Sequence, residues 1–207
     1  MEFKYFHNIL FTKVREVKSP SRGTAQSAGI DFYMPQIDEK FIEDFLKKNE
    51  GAQVLLTNEY MMILPGERAL IPSGIRVWIE NPETALIAAN KSGVATQKGL
   101  IFTAQVVNSD YTGEVHLGVY NTSKFPVVIH PDEKVLQFLH MPIFFSDLKE
   151  MDNQEYDTFT QHFVETERGE GGFGSTDQKE PEQGTLFPET ELEQVQLDKD
   201  TVLIKNK

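Results

Sequence analysis

Alternating apolar and polar positions dominate the middle of the chain. Runs rich in β-branched and aromatic residues cover 67–71, 74–80, 84–90, 113–121, 125–130 and 133–143. A period of two sends successive side chains to opposite faces, so each run predicts a half-buried strand. Pro65-Gly66, Pro72-Ser73-Gly74, Asn81-Pro82 and Pro131-Asp132 stand at the joints, where a fixed φ or glycine freedom suits a turn. Short strands punctuated in this way predict an all-β fold, a jelly roll or β-sandwich. One stretch changes period. Over 38–49, Phe41, Ile42, Phe45 and Leu46 recur at helical spacing, with Glu43, Asp44, Lys47 and Lys48 on the opposite side. This predicts a short amphipathic helix inserted between strands, capped by Asp38 and ended by Gly51. Its expected role is to cover an open end of the sandwich, with docking of a partner as the alternative.

The length of 207 residues suits one main domain with appendages. From Arg168 onward Gly, Ser, Glu, Gln, Pro and Asp prevail, too polar to offset their ordering entropy, so that stretch is expected to be mobile when free. The expected organisation is a β domain over 1–165, a Gly-rich arm over 166–177 and an acidic, flexible extension over 178–207, in which Thr201–Lys205 is apolar enough to form a terminal strand.

A formal charge of −12 argues against wrapping a nucleic-acid backbone, which calls for clustered Lys and Arg. A small anionic ligand needs only a local nest of N–H groups and one or two cations. The chain has no cysteine, and its five histidines are scattered, so thiolate and zinc sites are not expected. A metal would be a hard cation such as Mg²⁺, carried partly by substrate phosphates. No run approaches the roughly 20 apolar residues of a membrane span, and the first ten residues mix Glu2, Lys4 and His7 among apolar ones. A soluble, cytoplasmic protein is expected, with no nucleic-acid or membrane partner.

Five segments carry candidate chemistry. Arg168-Gly169-Glu170-Gly171-Gly172-Phe173-Gly174-Ser175-Thr176 combines a guanidinium, four glycines, an aromatic ring and two hydroxyls, fit to approach phosphate and stack on a base. Taken alone it would read as a flexible linker. Asn90-Lys91-Ser92-Gly93 follows a strand and offers an ammonium, a hydroxyl and exposed N–H groups to a polyphosphate, or forms an ordinary polar turn. Asn108-Ser109-Asp110-Tyr111-Thr112-Gly113-Glu114 is a tight polar turn with one ring. Ala28-Gly29-Ile30-Asp31-Phe32 and Glu133-Lys134-Val135-Leu136-Gln137 complete the set.

Taken in chain order, from Ala28–Phe32 to Arg168–Thr176, the five segments resemble the signature motifs of the trimeric dUTPases, over about 13–176 apart from the inserted helix. The resemblance implies a jelly-roll homotrimer that hydrolyses dUTP to dUMP and pyrophosphate, with three sites each built from all three chains. It implies that main-chain groups near Phe102, Thr103 and Ala104 read uracil, and that Tyr111 packs under the deoxyribose and excludes a 2′-hydroxyl. A buried hairpin that satisfies the uracil edge would leave polar groups unpaired against cytosine. The resemblance also implies phosphate contacts from Lys91, Ser92, Gly93 and Gln137, and a supporting role for Asp31. Arg168 would clamp the terminal phosphates and Phe173 close over the base, with Gly174, Ser175 and Thr176 completing the arm. Mg²⁺ would bridge the three phosphates.

Two positions depart from the family pattern. Lys91 stands where an arginine is usual, keeping the charge and losing the planar fork. Asn108 stands where an aspartate orients the attacking water and takes its proton, and a carboxamide accepts no proton near neutral pH. An active enzyme would then use another carboxylate, such as Asp110 two residues on. The alternatives are a weak or inactive dUTP-binding trimer with a regulatory or structural role, a change that traps substrate, and a dCTP deaminase of the same superfamily. Finally, Gln183-Gly184-Thr185-Leu186-Phe187 resembles the Gln-x-x-Leu-Phe peptide by which bacterial replication proteins bind the sliding clamp, the plain alternative being a solubilising tail.

Overall fold

Proline and glycine set the turns between the strands. Pro65 and Gly66, the latter at φ +75°, occupy the centre of a reverse turn closed by Glu67 N–H donating to the Leu64 carbonyl at 3.1 Å. Asp132 takes φ +65° in the turn after His130. The computed structural model describes residues 8–163, 193–198 and 201–205. In chain order the elements are β1 (Ile9–Lys13), β2 (Ser21–Arg22), β3 (Ile30–Tyr33), α1 (Glu39–Lys48), β4 (Val54–Leu56), β5 (Met61–Ile63), β6 (Arg68–Ile79) and β7 (Thr84–Ala89). A single π-helical turn (Val94–Lys98) follows. Then come β8 (Leu100–Phe102), β9 (Val106–Val107), β10 (Glu114–Asn121), β11 (Val127–Ile129), β12 (Lys134–Pro142), α2 (Asn153–Phe163), β13 (Glu193–Asp198) and β14 (Thr201–Lys205).

The described residues fall into two units, one ending at Asp147 and the other beginning at Leu148. In the first, antiparallel strands form three sheets ordered β1-β6-β10-β8, β2-β3-β12-β7-β9 and β11-β5-β4. Their inner faces share one core. Ile71, Ile75, Leu117 and Val119 come from the first sheet, Phe32, Leu86 and Phe138 from the second, and Met61, Ile63 and Ile129 from the third. In the second unit Asp152 caps α2 by accepting the Glu155 N–H at 2.8 Å, and β13 pairs with β14 as a hairpin. The strand expected at the terminus therefore docks on β13.

The runs 67–71 and 74–80 are one strand, β6, rather than two. Pro72-Ser73-Gly74 lies within it instead of at a joint. Gly74 at φ +74° bends the strand, and its N–H donates to the Glu114 side chain at 2.7 Å.

The inserted helix is present as α1, with Asp38 Oδ1 accepting the Phe41 N–H at 2.7 Å. Asn49, not Gly51, ends it. The Asn49 N–H donates to the Leu46 carbonyl, and its side chain bonds to Phe45 and to both polar main-chain groups of Leu70 on β6. Phe41 and Phe45 are buried, whereas Leu46, expected on the same face, is 59% exposed. Side chains four apart share a stripe too narrow to bury all four apolar positions against one strand.

Candidate active site

Asp31 is the only buried acid among the described residues, at 1% exposure. A carboxylate placed there requires cations. Lys134 Nζ lies 2.7 Å from Oδ2. Lys91 Nζ lies 3.0 Å from Oδ1, at an angle that leaves this oxygen without an aligned hydrogen bond. The hydrogen bond it donates to Asp31 holds the Lys134 ammonium pKa above its ordinary value. Two ammoniums around one carboxylate leave a local excess of positive charge in a chain of net charge −12.

Strand register brings the other phosphate-side candidates to the same place. Gln137 pairs with Asp31 on one side and Ala89 on the other, one residue before Asn90. Its Nε2 donates to the Asn90 carbonyl at 2.8 Å, while the Asn90 side chain accepts the Phe102 N–H at 2.9 Å. Asn90 thus links the end of β7, just before Lys91, to the start of the Phe102–Ala104 segment. Gly29 leaves the space that the Gln137 amide fills, since a Cβ there would sit 2.0 Å from Oε1. Ser92 and Gly93 are exposed and lead into the π-helical turn, with the Ser92 carbonyl accepting from Thr96 Oγ1 at 2.7 Å.

Beyond Phe102, the Thr103 N–H donates to the Gly118 carbonyl at 2.9 Å, while Thr103 and Ala104 are exposed. Gly118 permits the approach, because a Cβ would meet Thr103 Oγ1 at 2.6 Å and the Ala104 nitrogen at 2.9 Å. The chain then enters β9, whose Val106 and Val107 pair with Ile87 and Leu86. Asn108 follows in a turn closed by the Tyr111 N–H donating to its carbonyl at 3.1 Å. Because 108–111 is a turn, the two-residue spacing does not place Asp110 on the same face as Asn108, as it would in a strand. Tyr111 is 42% exposed, its hydroxyl donates to the Glu114 carbonyl at 2.9 Å, and its ring lies where a Cβ on Gly113 would be.

The two groups of candidates are not brought together. Ser109 Oγ donates to the Pro82 carbonyl at 3.1 Å, which places the Asn108 turn beside the start of β7. Lys91 lies past its other end. At about 3.3 Å per residue, the six positions from Ala85 to Lys91 span roughly 20 Å. Within one chain, Asp31, Lys91 and Gln137 therefore stand apart from Asn108 and Tyr111. Arg168, Phe173, Gly174, Ser175 and Thr176, and the clamp-like Gln183, Leu186 and Phe187, lie outside the described residues.

A family model described as dUTPase matches residues 54–177, more than half of the chain. The chain belongs to the dUTPase family. Among its relatives, the deoxyuridine 5′-triphosphate nucleotidohydrolase of Neisseria meningitidis serogroup C is 30% identical over 155 residues, covering 71% of this chain and 97% of that protein. The enzyme of the same name from Polynucleobacter asymbioticus is 29% identical over 170 residues, covering 81% and 93%. A variant of the Staphylococcus bacteriophage 80alpha dUTPase, solved with dUpNHpp, superposes with a TM-score of 0.58 at 17% identity over 83% of this chain and 99% of its own. A variant of the dUTPase of phage phi11 of S. aureus, solved with a structural Mg(II) ion, gives 0.54 at 16% identity over 70% and 97%. The jelly-roll β fold of the dUTPases is thus the fold of this chain.

Sequence reasoning missed two residues that contact these dUTPase-like motifs. Lys134 lies in the Glu133–Gln137 motif, yet its contact with Asp31 depends on a register shift between Lys134 and Leu136 that strand alternation does not reveal. Arg15, which bonds to Glu114 at the end of the Tyr111 turn, stands 99 residues away in sequence.

Proposed function

We propose that the chain is a cytoplasmic dUTP diphosphatase that works as a homotrimer, hydrolysing dUTP to dUMP and pyrophosphate and so supplying dUMP while clearing dUTP from the nucleotide pool. The observation that carries the shared-site arrangement is the separation along β7. The cations of Lys91 and Lys134 with Gln137 form one half, the Asn108–Tyr111 turn forms the other, and one chain holds them roughly 20 Å apart. A second copy supplies the missing half, as closed rotational symmetry allows.

Within the assembled site, Lys91, Lys134, Ser92 and Gln137 hold the phosphates. Main-chain groups of Phe102, Thr103 and Ala104 read uracil, and Tyr111 excludes a 2′-hydroxyl. Arg168 and Phe173 of the arm close over the nucleotide. Asp31 positions the two ammoniums and neutralises part of their charge. Both of its oxygens face lysines, which fits a cation that arrives on the substrate phosphates rather than one caged by protein. Bound there, Mg²⁺ supplies charge neutralisation and alignment of the triphosphate. Asn108 orients water through its carbonyl oxygen, and Asp110 is the nearest carboxylate in the turn.

Asn108 also favours a second reading, a dUTP-binding trimer with weak or no turnover, because a carboxamide removes the general base. Light scattering together with turnover and titration of dUTP and Mg²⁺ tests both readings. A trimer releasing dUMP and pyrophosphate supports the first, and binding without turnover supports the second. A monomer, or equal affinity for UTP, removes both. For Gln183, Leu186 and Phe187, the proposed partner is a sliding clamp, tested by pull-down against Leu186→Ala/Phe187→Ala.

A further inference from the structure

Glu114 is held through its side chain and through its main chain. The carboxylate accepts from Arg15 Nε at 2.8 Å, from Arg15 Nη2 at 3.1 Å and from the Gly74 N–H at 2.7 Å. The main-chain carbonyl accepts the Tyr111 hydroxyl at 2.9 Å and lies 2.8 Å from His116 Nδ1. Pairing between β10 and β6 shifts register between Glu114 and His116, and irregularities of this kind re-aim groups beside active sites.

Arg15 reaches on to the inserted helix. Its Nη2 donates to Asp44 of α1, and its guanidinium lies 6.0 Å from the centre of the Phe41 ring. The side chain is 5% exposed, and Nη1 has no partner among the described residues. For stability alone, apolar contacts would pin α1 with a smaller desolvation penalty. A planar fork does something apolar contacts do not: it holds a carboxylate in one orientation.

The C-terminal end of α1 bears on the same hairpin. Asn49 bonds to both polar main-chain groups of Leu70, Leu70 pairs with Gly118, and Gly118 seats Thr103 and Ala104. The helix and Arg15 both precede residue 54, where the family match begins.

We propose that α1 positions the nucleotide-reading hairpin, and that Arg15 is the positioning residue that ties Asp44 to Glu114 and thereby sets Tyr111. The inference rests on Tyr111 as the reader of the sugar. Arg15 touches no nucleotide and acts through Glu114, so disturbing it changes discrimination against a 2′-hydroxyl more than it changes the chemical step.

The test compares kcat/KM for dUTP and for UTP in the full-length parent, Asp44→Asn, Glu114→Gln and Tyr111→Ala, with thermal unfolding recorded alongside. If the parent turns over too slowly, dissociation constants by calorimetry give the same ratio. Asp44→Asn is isosteric at a side chain 32% exposed and leaves the Arg15–Glu114 fork intact, so it remains informative even if Glu114→Gln misfolds. The dUTP-to-UTP ratio is expected to fall about tenfold in Glu114→Gln and about threefold in Asp44→Asn. A lowered Tm with an unchanged ratio in both, while Tyr111→Ala collapses the ratio, overturns the proposal and leaves the Tyr111 reading standing. An unchanged ratio in Tyr111→Ala removes that reading and the proposal with it.

Discussion

Replacing Gly29 with alanine puts a methyl group where the Gln137 amide already sits. The new Cβ would lie 2.0 Å from Oε1, 2.6 Å from Cδ and 3.1 Å from Cβ of Gln137. Gly29 is not among the residues with positive φ, so the effect is steric rather than conformational. The amide must swing away and give up its 2.8 Å bond to the Asn90 carbonyl. Losing that bond costs about 1 kcal/mol, and an off-rotamer side chain adds about 0.5–1.5 kcal/mol. The sum, about 2 kcal/mol, corresponds to a fall in Tm of about 4–8 °C for a chain of this size. Because Gln137 is a proposed phosphate contact, KM for dUTP should rise about tenfold, with a smaller change in kcat. The decisive comparison repeats the substitution in Gln137→Ala, where only the 3.1 Å contact remains and the added methyl should cost less than about 0.5 kcal/mol. Equal losses in both backgrounds, by thermal unfolding, would refute the steric account. An unchanged KM in the single variant would remove Gln137 from the phosphate site.

Asn108→Asp should raise dUTP turnover by about two orders of magnitude or more at nearly constant affinity if the general base is simply missing; if Asp110 already serves, the change is small and Asp110→Asn abolishes activity, which steady-state kinetics on both variants distinguishes. Truncation before Arg168 should weaken nucleotide binding, by calorimetry, while the β unit stays folded and trimeric; full activity in the truncated chain would remove the arm from the site. Acid should erase the benefit of Asp44: the hydrogen bond from Arg15 holds its carboxyl below the ordinary value, so its contribution is present above the usual carboxylate range and lost as pH falls through the lowered pKa. The Tm difference between parent and Asp44→Asn should therefore be clear at pH 7 and shrink towards pH 3, and a constant difference would contradict the linkage.

Patterns set by neighbours in sequence were readable before the structure. Alternation located β7, β10, β11 and β12 within a residue or two, and Asp38 caps α1 as expected. The order of five motifs led to the right family, because each motif limits which residues tolerate phosphate, base or sugar. What escaped depends on contacts distant in sequence. Gly74 resembles a strand terminator until Glu114, 40 residues on, takes its N–H. Leu46 fits the apolar stripe of α1, yet β6 offers burial only to Phe41 and Phe45. Tyr156 and Phe159 lie in α2, a helix that the alternation argument passed over.

The length of β7 gives the proposed trimer a genetic consequence. If its site draws Lys91 from one chain and Asn108 from another, damage beyond one end of that strand and damage beside the other are complementary. Neither a chain spoiled at Lys91 nor a chain spoiled at Asn108 can assemble a sound site by itself. Mixed equally in trimers, the two faulty chains would place an intact Lys91 end against an intact Asn108 turn in about a quarter of all sites. Two defective alleles expressed together would then rescue a function that each alone has lost.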